Sequence, residues 1–215
     1  MKIDLHIHSD ISSCGHQSLD EIIAAAAKRN IDGVCITDHD TMEALNQVKE
    51  GLQGNGIYLF VGMEYTTTEG DFLIFGDFEE IPLNMPARDL VVYVEDNGGA
   101  LVAAHPFRKK RSVAEYLILD AHVKIVESVN GRNSDFENQF FHFWAQHRNL
   151  AFSGGSDAHT SDEIGKVVTE FSNQITSREE LIKELKAGNC QPLYSKDGTY
   201  YEIGYISGSW SWRPR

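Results

Sequence analysis

Two histidines, His6 and His8, stand two apart in the opening Met-Lys-Ile-Asp-Leu-His-Ile-His. In an extended strand, residues i and i+2 face the same side about 7 Å apart, so imidazoles at this spacing line one cavity or close on one ion. Later segments repeat the chemistry: Thr37-Asp38-His39-Asp40, Gly62-Met63-Glu64, Ala104-His105-Pro106 and Gly155-Ser156-Asp157-Ala158-His159. Imidazole with carboxylate, and no paired cysteines, suits Zn, Mn, Fe and similar divalent ions, and a carboxylate such as Glu64 can bridge two of them. A two-metal clamp activates water and stabilises both the attacking and the leaving oxygen at phosphorus, so this ligand chemistry points to hydrolysis.

Each candidate ligand follows the end of a short apolar run rich in Val and Ile. The runs predict strands near 2–7, 33–37, 57–62, 72–76, 100–104, 123–127 and 151–154. Helical patterns are expected at 18–30, 40–53, 87–97, 134–148 and 177–187; Ser18-Leu-Asp-Glu21 and Ser177-Arg-Glu-Glu180 read as capping boxes. Alternating strands and helices predict an α/β chain built on a mainly parallel sheet. In a barrel of such units the C-terminal strand ends converge on one face, which turns scattered motifs into one centre. The alternating aromatic stretch after Thr199 predicts a terminal strand; in the tail beyond it, mobile or packed down, Trp210 and Trp212 are candidates to cover a sheet face or a partner. His142 and His147 fall in an aromatic helical stripe and read as water-facing, not as ligands, while Cys35 on its apolar strand reads as core.

A length of 215 residues suits one large domain spanning 1–215, and 24% charged residues is ordinary for a soluble globular chain. The net charge of −13 argues against a duplex-DNA partner, which needs a basic face. Carboxylates gathered on cations would cancel part of that charge locally, so an anionic substrate could still enter. Three cysteines, Cys14, Cys35 and Cys190, form no disulfide framework, which favours the cytoplasm. No export signal and no membrane span are expected, because no stretch approaches 18 apolar residues. The oligomeric state is left open.

Taken in order, Asp4-Leu-His-Ile-His-Ser9, Ile36-Thr-Asp-His-Asp-Thr41, Gly62-Met-Glu64, Ala104-His-Pro-Phe-Arg108, Val126-Glu-Ser-Val-Asn-Gly-Arg-Asn133 and Gly155-Ser-Asp-Ala-His159 resemble the polymerase and histidinol phosphatase (PHP) family of metal-dependent phosphoesterases. The resemblance runs over roughly residues 1–165. It implies a distorted, TIM-barrel-like (β/α)7 barrel, here with a C-terminal strand extension, and a trinuclear metal centre of Mn, Zn or Fe. It also implies hydrolysis of a phosphate ester on a small phosphorylated molecule or nucleotide. By this resemblance His6, His8, Glu64 and Asp157 hold a first ion, Glu64 bridges to a second held by His105, and His39 and His159 hold a third. Glu127 is a ligand or a carboxylate behind one, and Asp38 orients His39 or its neighbours.

The chain departs from the family pattern at two places. Relatives usually carry an Asp in the turn after the His-x-His pair, where this chain reads Asp10-Ile-Ser-Ser-Cys14-Gly-His16. Asp10, Cys14 or His16 fills that place, or the third ion is weakly held or missing, leaving two. Asp71 stands where a histidine is common. Arg108 and Arg132 are expected to fork onto phosphate oxygens, and the run Lys109-Lys110-Arg111 holds a substrate tail or forms a solvated turn. Two other functions compete: a nuclease or nucleotide 3′-phosphoesterase acting on single-stranded ends, and a catalytically weak metal-binding regulatory module.

Overall fold

The computed structural model describes residues 1–145, 148–206 and 209–214. His147 lies outside them, as do the side chains of His142, Trp210 and Trp212. The first strand, β1 (Lys2–Ile7), is buried over nearly its whole length. Helix α1 (Leu19–Ala26) starts on the expected capping box: Glu21 N donates to Ser18 Oγ at 3.3 Å and Ser18 N donates to Glu21 Oε2 at 2.8 Å. Leu19, Ile22 and Ala26 form its buried stripe, and the left-handed Asn30 (φ 54°) turns the chain before residue 30 can be helical.

The strands form two sheets. The larger runs in the order β13 (Ser209–Pro214), β12 (Thr199–Ile206), β11 (Cys190–Lys196), β10 (Val167–Phe171), β1, β2 (Gly33–Ile36), β4 (Tyr58–Val61), β3 (Gly51–Leu52). Within it β1, β2 and β4 are parallel and the other pairs antiparallel. The smaller runs β5 (Met63–Thr67), β6 (Gly70–Phe75), β7 (Ala100–Ala103), β8 (Ile125–Asn130), β9 (Ala151–Gly155); β7 to β9 are parallel, and β6 opposes both its neighbours. Helix α1 lies on β2, α2 (Ala87–Asp96) on β7 and α4 (Asp135–Ala145) on β8, with the short α3 (Glu115–Leu119) between the last two in sequence. The final helix, α5 (Arg178–Ala187), begins at Ser177, which accepts from Glu180 N, and stops at left-handed Gly188.

Inner strand residues of both sheets, among them Leu5, Cys35, Phe60, Leu73 and Val102, share a core with Leu181 and Leu185 of α5. A second core lies on the side covered by α1, α2 and α4. Two seams join the sheets above the inner core. At one, Ile7 bridges Ala158, with His8 N donating to Ala158 O (2.9 Å) and Ala158 N to His6 O (3.2 Å). At the other, His39 bridges Glu64, whose N–H donates to Asp38 O at 3.1 Å. His6, His8, His39, Glu64, Asp157 and His159 lie on or beside these seams, and His105 follows β7 of the smaller sheet.

The α/β class agrees with the sequence, and several elements differ. Residues 40–53 are not a helix: a single 3-10 turn at Glu43–Asn46 leads into β3. Left-handed Asp40 and Gly51 bound the segment; within it Met42 and Ala44 are buried, while Leu45 and Val48 are only partly covered by the core. Strand β5 was hidden because it continues from β4 through Gly62, where a Cβ would meet Ile74 O at 2.7 Å. The expected terminal strand is β12, and the tail beyond it pairs back as β13, with Ile203 opposite Trp212. Among the described residues no helix is long and apolar enough to cross a membrane.

Candidate metal centre

A bulge in β1 builds the first half of the centre. Asp4 pairs with Val34 and Ile7 with Ile36, so three steps on β1 face two on β2. Ile7, Val34 and Ile36 belong to the helix-covered core, and the extra residue lets Leu5 and His6 both turn inward. His6 is fully buried, with Nε2 3.1 Å from His8 Nε2, 3.3 Å from Glu64 Oε2 and 3.6 Å from Asp157 Oδ1. His8 Nε2 lies 3.2 Å from Glu64 Oε2 and 3.3 Å from Asp157 Oδ1. The other oxygen of Glu64, Oε1, is 3.0 Å from His105 Nε2. Among the described residues, atoms able to ligate a cation fall into three groups, each within 4.8 Å: His6–Glu64–His105, His6–His8–Asp157 and His8–Cys14–His39.

Burial pushes the His6 imidazole down, yet the charges of Asp157, Glu127 and Glu64 outweigh it and hold its pKa well above the usual range. Burial pushes the Glu64 carboxyl up, but the His6 charge and hydrogen bonds from His105, His6 and His8 hold it well below. Asp157 is lowered in the same way by His6 and His8. Without a cation, a protonated His6 therefore faces the Glu64 and Asp157 carboxylates. Three buried nitrogens stay without hydrogen-bond partners: His8 Nδ1, His39 Nδ1 and His105 Nδ1. His39 Nδ1 is 3.3 Å from Glu64 Oε2 but lacks hydrogen-bond geometry. Buried polar atoms left unpaired cost about 1–3 kcal/mol each, and the grouping of N and O donor atoms within 4.8 Å of one another fits a divalent cation.

A pH dependence follows. Because the folded pKa of His6 is raised, its proton stabilises the stripped protein at low pH, and that contribution is lost as pH rises through the raised value. A cation must displace the same proton, so binding strengthens with pH. The gap in Tm between metal-loaded and stripped protein should widen from roughly pH 6 to pH 9. Calorimetry of both forms at each pH checks this, and a gap that narrows contradicts the arrangement.

Glu127 stands behind His6, its Oε1 3.0 Å from His6 Nδ1. Its Oε2 accepts from His105 N at 2.8 Å and Asn130 Nδ2 at 2.9 Å. A carboxylate there favours a proton on Nδ1, so that the Nε2 lone pair would face inward once a cation displaces the second proton. Glu127→Gln should weaken cation affinity by about 10- to 100-fold with the fold intact, measured by competition with a chromophoric chelator. Gly155 is required beside this pair, since a Cβ there would lie 2.4 Å from His6 Cβ.

Asp38 does not touch the cluster; its carboxylate accepts from Ser9 N (2.8 Å) and Ser9 Oγ (2.6 Å), which fixes the chain leaving His8. His159 packs against His8 with the rings tilted and their centroids 4.5 Å apart, its Nδ1 2.8 Å from Asp157 O, and it is outside the three groups. Asp71 is buried, and Arg111 pairs with it at 3.3 Å. Burial and the Glu64 charge push its carboxyl up. Asp10 and His16 are exposed, whereas Cys14 is half-buried; burial and the Glu64, Asp157 and Asp38 charges push its thiol up.

Arg108 reaches the cluster, with Nη2 2.7 Å from Asp157 Oδ2 and Nε donating to Asn133 Oδ1 at 2.9 Å. Arg132 is on the rim, 42% exposed, 3.3 Å from Glu163. The residue that the motif reading passed over is Asn130. Its Oδ1 accepts from Arg108 Nη2 and Arg132 N, and its Nδ2 donates to Glu127, so one carboxamide ties both arginines to the ligand shell. Its position at the end of β8, inside the Glu127–Asn133 motif, was the available signal.

The backbone is strained at the same places. His105 (φ 31°), Asp157 (φ 55°) and Asp40 (φ 54°) are non-glycine residues in the left-handed region. Such residues cost roughly 1–3 kcal/mol each and cluster at functional sites.

The chain has relatives both in sequence and in fold. Two uncharacterized proteins of Methanocaldococcus jannaschii are related in sequence. One, MJ0417, is 29% identical over 181 residues, 80% of this chain and 71% of that protein. The other, MJ1587, is 30% identical over 145 residues, 63% of this chain and 85% of that protein. A family model described as PHP-associated matches residues 136–190. In fold, the chain is similar to PsfC from Pseudomonas syringae (TM-score 0.73, 20% identity, 92% of each chain). It is also similar to a two-domain Bacteroides vulgatus protein containing a predicted PHP-like metal-dependent phosphoesterase (TM-score 0.61, 16% identity, 90% of this chain and 64% of that one). Together with the ordered motifs, these likenesses make this chain a member of the PHP family.

Proposed function

We propose that the protein is a metal-dependent phosphoric ester hydrolase that cleaves a phosphate ester on a small molecule or nucleotide. One observation carries this reading: His6, His8, Glu64, Asp157 and His105 converge in a buried cluster with an arginine at its edge. His6, His8, Glu64 and Asp157 are assigned to one cation, Glu64 and His105 to a second, and His39 with His159 to a third. The donor set suits Mn, Zn or Fe. Cations held there supply Lewis acidity and positive charge to a phosphate and its attacking water.

The protein's own groups do the positioning. Glu64 offers Oε2 to His6 and His8 and Oε1 to His105, so this one carboxylate would hold cations on both sides of the cluster. Arg108 is held by Asp157, Asn130 and Asn133, and its Nη1 has no partner among the described residues. That leaves a preorganised donor for a non-bridging phosphate oxygen, where charge builds during the reaction. Arg132 is the second candidate for phosphate and exchanges Glu163 for substrate. Asp38 acts through Ser9 on the strand end that carries His8. The two bridged sheets are read as one distorted TIM-barrel-like ring, with β12 and β13 as its extension.

The test combines metal analysis with a phosphate-release screen over sugar phosphates, nucleoside monophosphates, nucleoside 3′,5′-bisphosphates and short oligonucleotides. Release from small substrates, lost on chelation and regained with Mn, Zn or Fe, is the expected result. Fully metallated protein that releases phosphate from none of them refutes the hydrolase reading, and cleavage confined to oligonucleotides makes it a nuclease.

A further inference from the structure

We propose that Cys14 ligates the cation at His39, so that the third position of the centre is thiolate-bound; this rests on the metal-centre reading above. Of the residues open to fill the turn after His8, Asp10 and His16 are exposed, while Cys14 brings its sulfur within 4.8 Å of ligand atoms of His8 and His39. The turn holds Cys14 there firmly. Asp38 binds Ser9, and Ser12 Oγ accepts from His39 N at 2.9 Å. Gly15 N donates to Ser12 O at 3.0 Å, and His16 N to His159 O at 2.9 Å. A Cβ at position 15 would lie 1.9 Å from Ser9 O, so only glycine lets the loop fold back this tightly beside the thiol.

Independent geometry marks a cation position beside the sulfur. His8 is fully buried with an unpartnered Nδ1, and His39 Nδ1 is unpartnered although it lies 3.3 Å from a Glu64 oxygen. Ligand atoms of His8, Cys14 and His39 that lie within 4.8 Å of one another, with unpartnered ring nitrogens among these residues, are what a shared ion satisfies. On binding, the thiol loses its proton to solvent and its sulfur donates a lone pair to the ion, with no change of oxidation state. A soft sulfur ligand favours Zn, Co and Fe over Mg and Mn, so this position differs in preference from its two N/O-ligated neighbours.

Cobalt(II) loading of the stripped full chain tests this without reference to turnover. The expected spectrum has a near-ultraviolet sulfur-to-cobalt charge-transfer band beside the visible cobalt bands. Cys14→Ala should lose that band and about one cation equivalent while keeping the other cobalt bands. Cys14→Asp should regain the cation without the band. Cobalt uptake by the wild type with no sulfur band, or a Cys14→Ala protein with unchanged spectrum and metal content, overturns the thiolate ligand and leaves the hydrolase reading standing. A wild type that takes up no cobalt overturns both.

Discussion

Replacing Glu64 with alanine should leave a folded chain that has lost its cations and hydrolyses phosphate esters about a thousandfold more slowly, the loss of roughly 4 kcal/mol of transition-state stabilisation. The size of the effect comes from the position of this one carboxylate. Its Oε2 lies 3.2–3.3 Å from His6, His8 and His39, and its Oε1 lies 3.0 Å from His105. No other acid in the cluster faces both sides, so its removal leaves imidazoles facing one another with less negative charge to hold an ion. Glu64→Gln keeps the shape and one acceptor, and should fall between the wild type and alanine in metal content. Metal analysis, phosphate release and circular dichroism on the same preparations read this out. A fully metallated and active Glu64→Ala protein removes Glu64 from the centre.

Arg108→Ala should lower kcat/KM by about 10²- to 10³-fold while bound metal stays near the wild-type count. The guanidinium is only 19% exposed and already oriented by Asp157, Asn130 and Asn133, so little reorganisation is needed when a phosphate arrives. Arg108→Lys keeps the charge and loses the fork, and recovers only part of the rate. Because Arg108 also neutralises Asp157, the alanine variant needs a metal titration beside the kinetics. A rate loss matched by metal loss would make Arg108 a support for Asp157, and a rate loss at full metal content makes it a substrate contact.

The candidate ligands could be read ahead of the fold because each stands where an apolar run stops, and parallel strands deliver such ends to a common face. His6, Glu64, His105 and Asp157 come together on that logic alone. Features that depend on register or on distant partners could not be read this way. A strict period of two gives no hint of the β1 bulge that puts Leu5 and His6 on the same side. The reversed β6 has an ordinary strand composition, and its direction is set by the β5–β6 ladder. Residues 40–53 carry enough helix formers to mislead, and the left-handed Asp40 that stops a helix there is a property of the seam with Glu64. Asn130 is a common loop residue whose four-way hydrogen bonding exists only once β8, the His105 turn and the Asp157 turn meet.

The awkward backbone at His105 and Asp157 sets stability against chemistry in this fold. Glycine would sit there at ease, relaxing the turn by something like 1 kcal/mol while deleting the ligand. A homologue freed from selection for turnover would thus drift toward glycine at these corners and grow sturdier as it falls silent. His105 and Asp157 at these corners thus give up backbone ease for their places in the cluster.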